Sequence, residues 1–165
     1  MKLNLKAVLG MAISTGLAFS IVTPATAEAA SPTATKAISS VTANTAKVVA
    51  GKDATGAWKR WTWGFQHVGD CSMFEGASWT IVDNGTASFD GWVTSSDTND
   101  IWHMRLVLLD KDGREIDALI GGPPSAPEWF SQGLPDPRYR YHWTAYGSYR
   151  NVFPSVQGMR MYSSC

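Results

Sequence analysis

The chain of 165 residues carries 14 basic and 14 acidic side chains, so no net charge draws it toward nucleic acid or anionic membrane. All eight tryptophans lie between Trp58 and Trp143, and residues 58–165 are about the size of one small domain with a single core. There is no G-x-S-x-G elbow, no H-E-x-x-H and no phosphate-cradling glycine loop, which removes the usual support for dinucleotide and metallohydrolase readings.

At the N-terminus, Lys2 and Lys6 precede an apolar run over residues 7–22, followed by Pro24 and the small-residue stretch ATAEAA. This reads as a secretory signal peptide over residues 1–27, cleaved after Ala27, with Ala29 satisfying the same rule. The run is too short and too rich in Gly and Ser to span a bilayer, and no later segment approaches the roughly 20 apolar residues a transmembrane helix needs. A secreted, extracellular protein without membrane insertion is implied. Loss of Lys2 and Lys6 leaves 12 basic against 14 acidic residues, a formal charge of −2.

Residues 28–57 hold no aromatic side chain and are rich in Ala, Thr and Ser. Such composition offers little burial to offset chain entropy, so it reads as a flexible lead. A helix around residues 41–49 is a lesser alternative, because Val41, Thr45 and Val48 would share a face.

From Trp58 onward the apolar period is two, with turn residues about every ten positions, which is an all-β pattern. In WKRWTWGFQH, Trp61, Trp63, Phe65 and His67 share one parity, as the wall of a core, and Trp58 falls on the other as an exposed or edge aromatic. Next, GASWTIVDNGTASFDGW fits a hairpin with a three-residue Asp83-Asn84-Gly85 loop and Gly85 at a left-handed bulge position. That register sets Ile81 opposite Ala87 and Trp79 opposite Phe89, gathering apolar residues on one face. The same logic at Lys111-Asp112-Gly113 sets Leu108 opposite Ile116, Leu106 opposite Ala118 and Met104 opposite Ile120.

If the strands on either side of the acidic loop SSDTND also pair, Phe89 faces Leu106. Asp90 then meets Arg105 and Trp92 meets His103 on the other face, with Asp117 diagonally near Arg105. This row reads either as a solvated face with weak ion pairs or as a ligand site, with Trp92 for stacking and His103 as its titratable group.

Five prolines over residues 123–137 argue against a regular central strand and for a long loop presenting Trp129 and Phe130. Strand signals return over residues 139–146, where Tyr141 and Trp143 share a face, and over residues 155–163, where Met159 and Met161 do. The sum is an antiparallel meander of about seven strands, or eight with a short one near Cys71, forming a small barrel or sandwich.

Two cysteines in an exported chain pair, so Cys71 and Cys165 are read as a disulfide. His67, His103 and His142 stand on separate expected strands with no carboxylate spacing to complete a ligand set, so neither metal nor cofactor is expected. Charge is uneven: residues 66–122 hold ten carboxylates against Arg105, Lys111 and Arg114, whereas the last stretch carries Arg138, Arg140, Arg150 and Arg160 among tyrosines.

The runs WTWGFQHVGDC, GASWTI and NGTASFDGWVTSSDTNDIW resemble a family of small secreted actinobacterial proteins of unknown function. The resemblance covers residues 61–122; it implies an exported β-domain and carries over no activity or catalytic residue.

Three functional classes follow. Aromatic surplus at Trp58, Trp92, Trp129 and Phe130 favours a non-catalytic module binding a carbohydrate or other extracellular ligand. A protein-binding or inhibitory module would act through the Pro-rich loop around Trp129. A small hydrolase would need two carboxylates at a cleft, for which Asp90, Asp100, Asp117, Glu128 and Asp136 are eligible.

Overall fold

The computed structural model describes residues 39–42 and 47–165; the signal-peptide segment lies outside them. Among the described residues, regular structure is all strand apart from one 3-10 turn at Phe153–Ser155. In chain order the strands are β1 (Ser39–Thr42), β2 (Lys47–Asp53), β3 (Gly56–Thr62), β4 (Gln66–Val68), β5 (Cys71–Met73) and β6 (Ser78–Val82). The second half supplies β7 (Thr86–Ser95), β8 (Asp100–Leu109), β9 (Glu115–Ala118), β10 (Trp129–Leu134), β11 (Tyr141–Ser148) and β12 (Gly158–Ser164).

They form two antiparallel sheets. The five-stranded sheet runs β1-β12-β8-β10, and β9 shares the β10 edge of β8 end to end. The seven-stranded sheet contains β2, β3, β6, β7, β5 and β4, with β11 on the opposite edge of β7. On their common edge of β7, β6 pairs with residues 87–90 and β5 with residues 93–95. The architecture is therefore a sandwich, organised about two ten-residue strands that each bond to three neighbours.

The β6–β7 hairpin has the register read from its turn, with Ile81 opposite Ala87 and Trp79 opposite Phe89. Gly85 takes φ 87°, the left-handed conformation that glycine adopts without a Cβ penalty. The β8–β9 hairpin departs from expectation. Gly113 has the anticipated positive φ and Leu109 lies opposite Glu115, but the register slips between Leu108 and Leu109, so that Leu108 faces Asp117 and Val107 faces Ala118. The extra residue, Ile116, turns Leu119 inward and leaves Ile120 47% exposed. Beyond Val107 the edge of β8 belongs to β10, and Ile120 bridges instead to Ser148 of β11.

The larger correction concerns β7 and β8, which do not pair: they lie in different sheets. Both carry large apolar side chains on alternate positions. Apposing Phe89 and Val93 to Trp102, Met104 and Leu106 across the sandwich buries both sets, which suits apolar burial better than one sheet with a single covered face. The contact is direct at the centre, where Trp79 donates its indole N–H to Met104 Sδ at 3.4 Å and its ring lies 4.9 Å from that of Phe130.

The remaining strands come from segments read otherwise. Residues 47–53, assigned by composition to the lead, form β2 beside β3. The Trp-rich stretch breaks after Thr62, so Trp61 and Trp63 are buried as expected while Phe65 (57% exposed) and His67 turn outward. In the Pro-rich region, Pro123, Pro124 and Pro127 precede β10 and Pro135 and Pro137 follow it. The prolines bracket an edge strand without interrupting its hydrogen bonds. Cys71 and Cys165 form the expected disulfide, Cα–Cα 5.8 Å, tying β5 of one sheet to the end of β12 in the other.

Candidate functional site

The outward face of the seven-stranded sheet carries a row of rings running across the strands. Trp92 points outward because Val93 and Gly91 point in, and its register partner on β11 is His142. Their rings lie 4.9 Å apart and 36° from coplanar. On the other side Phe74, the residue after β5, donates its backbone N–H to the Trp92 carbonyl at 2.9 Å and so stands beside Trp92. One step beyond the Gln66–Met73 pair of β4 and β5, Phe65 faces Phe74, with ring centroids 6.3 Å apart. Four rings thus occupy one cross-strand row.

Polar groups flank it. Asp90, two residues from Trp92 on the same face, binds His142 Nε2 through Oδ2 at 2.9 Å. The Arg140 guanidinium sits 4.2 Å from the Phe74 ring centroid, a cation–π geometry. Phe74, Glu75, Trp92 and Arg140 line an open hollow of about 450 Å³, within the size range of small-ligand sites. Trp92 is 50% exposed, so half of a large aromatic surface faces solvent. The chemistry offered is stacking, with hydrogen-bond donors and acceptors at the margin.

The other sequence-derived residues are dispersed. His103 bonds through Nδ1 to Ser131 at 2.7 Å on the outer face of the five-stranded sheet. There Arg105 pairs with Glu128 at 2.7 Å, lies opposite Trp129 and covers the Tyr162 ring. Asp117 is buried against Arg150, whose guanidinium approaches to 2.9 Å. The anticipated row of Asp90, Trp92, His103, Arg105 and Asp117 is therefore divided between the sheets. Trp58 is half-buried over Gly51, where a Cβ would come within 2.5 Å of its ring, and Arg60 lies beside it.

Trp129 lines a second hollow, about 390 Å³, between the edges of β10 and β11. Phe130 is core, at 4% exposure, because β10 alternation turns it inward beneath Trp79. Of the carboxylates eligible for hydrolysis, Asp136 is held down at about 2, chiefly by hydrogen bonds from the Arg138 side chain. Asp100 lies next to Cys71 and Cys165, but their sulfurs are bonded to one another and offer no thiolate to a metal.

Reading by parity placed Trp92 outward but missed its neighbours Phe65, Phe74, Arg140 and His142. Parity assigns a face and not a partner strand; the only cue to Phe74 was the short strand near Cys71.

Fold and face together describe a disulfide-linked antiparallel β-sandwich with an aromatic strip on one outer surface. Residues 78–165 match a family of unknown function, DUF6294. That match spans more than half of the chain, which belongs to this family. It contains β6–β12, and with them Asp90, Trp92, Arg140 and His142, and it extends well past the 61–122 segment that carried the sequence resemblance; Phe65 and Phe74 lie before it. No curated protein and no solved structure matches the chain.

Proposed function

We propose that this protein is an exported, non-catalytic β-module that binds carbohydrate through the outer face of its seven-stranded sheet. The observation that carries the reading is the ring row centred on half-exposed Trp92, flanked by Arg140, Glu75 and Asp90. Sugar rings present apolar C–H faces and hydroxyl edges, and aromatic faces with polar margins complement both. Export is supported by the signal-like N-terminus and by the disulfide, which persists in oxidising compartments. Among the described residues no helix is long and apolar enough to cross a membrane.

Tryptophan fluorescence of the oxidised protein, titrated with soluble cell-wall and plant polysaccharides, tests this. A saturable change that Trp92→Ala abolishes and Trp129→Ala leaves intact is the expected result. No saturable change with any polysaccharide refutes it.

A protein-binding reading rests on a separate observation, the hollow between β10 and β11 lined by Trp129 and by Tyr146, which is 74% exposed. Pull-down of a partner that Trp129→Ala releases, with Trp92→Ala inert, would favour it.

A further inference from the structure

The row has a direction and a length, and both bear on the ligand. Phe65, Phe74, Trp92 and His142 stand on four successive strands or their immediate extensions, in the order β4, β5, β7, β11. At the ordinary strand spacing, three intervals make the row about 14 Å long. One pyranose ring covers a single member of the row and at most reaches the next. Rings set at the 6.3 Å and 4.9 Å centroid separations found at its two ends offer repeated contacts to a ligand that itself repeats.

The charges point to the ligand's character. Arg140 and Glu75 line the same hollow, and among the described residues neither is in an ion pair; Asp90, two residues from Trp92, is engaged by His142. One cation and one anion leave the hollow without net charge, so a polyanion gains nothing there that a neutral chain lacks. A guanidinium donates hydrogen bonds and a carboxylate accepts them. Each sugar hydroxyl does both, so neighbouring hydroxyls can engage both groups at once. The guanidinium carbon sits 4.2 Å from the Phe74 ring centroid, so at that step the ligand meets a hydrogen-bond donor backed by a ring.

We infer that the ligand is a neutral, linear oligosaccharide chain lying across the strands, with Trp92 and His142 under one part and Arg140, Phe74 and Phe65 under the rest. This rests on the carbohydrate reading of the face. It adds that the site grips several consecutive sugar units.

The test is calorimetric titration of the oxidised protein with neutral cello-, xylo-, manno- and chito-oligosaccharides of one to six units, and with oligogalacturonides as the anionic control. In at least one neutral series affinity rises at least about tenfold from two to four units, as further aromatic contacts are added. Phe65→Ala removes most of that gain. Phe65 is 57% exposed, so this variant keeps the core intact, and unchanged thermal denaturation checks that it does.

Binding that depends on Trp92 but is equal at all lengths, or is stronger for oligogalacturonides, overturns the inference and leaves the carbohydrate site standing. A length-dependent gain unaltered by Phe65→Ala overturns the proposed path. Absence of any Trp92-dependent saccharide binding overturns the site reading and this inference with it.

Discussion

Replacing both cysteines, Cys71→Ala with Cys165→Ala, isolates what the cross-link contributes. Alanine is chosen because Cys71 is fully buried and serine would bury a hydroxyl. The bridge joins positions 94 residues apart, and in the chain-entropy model closing a loop of that size restricts the unfolded chain by about 4.7 kcal/mol. For an ordered unit of this size, total stability is on the order of 6 to 18 kcal/mol. The variant therefore folds at 25 °C but loses a large fraction of its margin. With a urea dependence of about 1 to 3 kcal/mol per molar, the unfolding midpoint falls by about 2 M or more. Equilibrium urea unfolding followed by tryptophan fluorescence and by circular dichroism measures this, with coincident transitions checking two-state behaviour. A midpoint lowered by less than about 0.5 M, with unchanged slope, would show that the sheets are held together without the bridge and refute the reasoning.

Phe130→Ala should cost about 3 to 5 kcal/mol in the same assay, because its ring is buried against Trp79 and lies close to Gly147; a cost below 1 kcal/mol would mean that β10 can lift away from the core. Burial pushes the Tyr149 hydroxyl up to about 12, with Asp83 adding a smaller contribution. The folded state thus disfavours the phenolate: the stabilisation is fully present below pH 10, the ordinary value, and is lost as pH rises from 10 to 12, an effect of about 2 to 3 kcal/mol. Tyr149→Phe should remove that slope in alkaline urea titrations, and an unaltered slope would assign it to another group.

Turn chemistry was the most legible part of the sequence. Asp83-Asn84-Gly85 dictated its hairpin because only one loop length put Trp79 and Phe89 on one face. At Lys111-Asp112-Gly113 the turn was equally readable, but the slip two residues later reflects a competition for the edge of β8, and β10 is distant in sequence. Alternation identified Trp61 and Trp63 as core and set Met159 and Met161 on one face, which is the buried one; it could not say that β7 and β8 face each other across the sandwich, since hairpin and sandwich bury the same residues. Proline content misled for a positional reason, as every proline of residues 123–137 falls outside β10. The candidate site was legible only at Asp90 and Trp92, which share a face by alternation. His142 and Phe74 reach it through pairings with β11 and β5 that no local pattern encodes.

The placement of β12 has a consequence for how the molecule assembles. This strand, late in the chain, is interior to its sheet, bonded to β8 on one side and to β1 on the other, with Ser39 opposite Ser163. A sheet whose interior strand is translated late cannot close while the chain is still emerging. The apolar face of β8 then waits without Met159 and Met161 beside it. Pairing between sequence-distant strands carries a loop-closure cost and slows folding. A chain that matures in this order stays open until β12 is available, so its sheets form together and late.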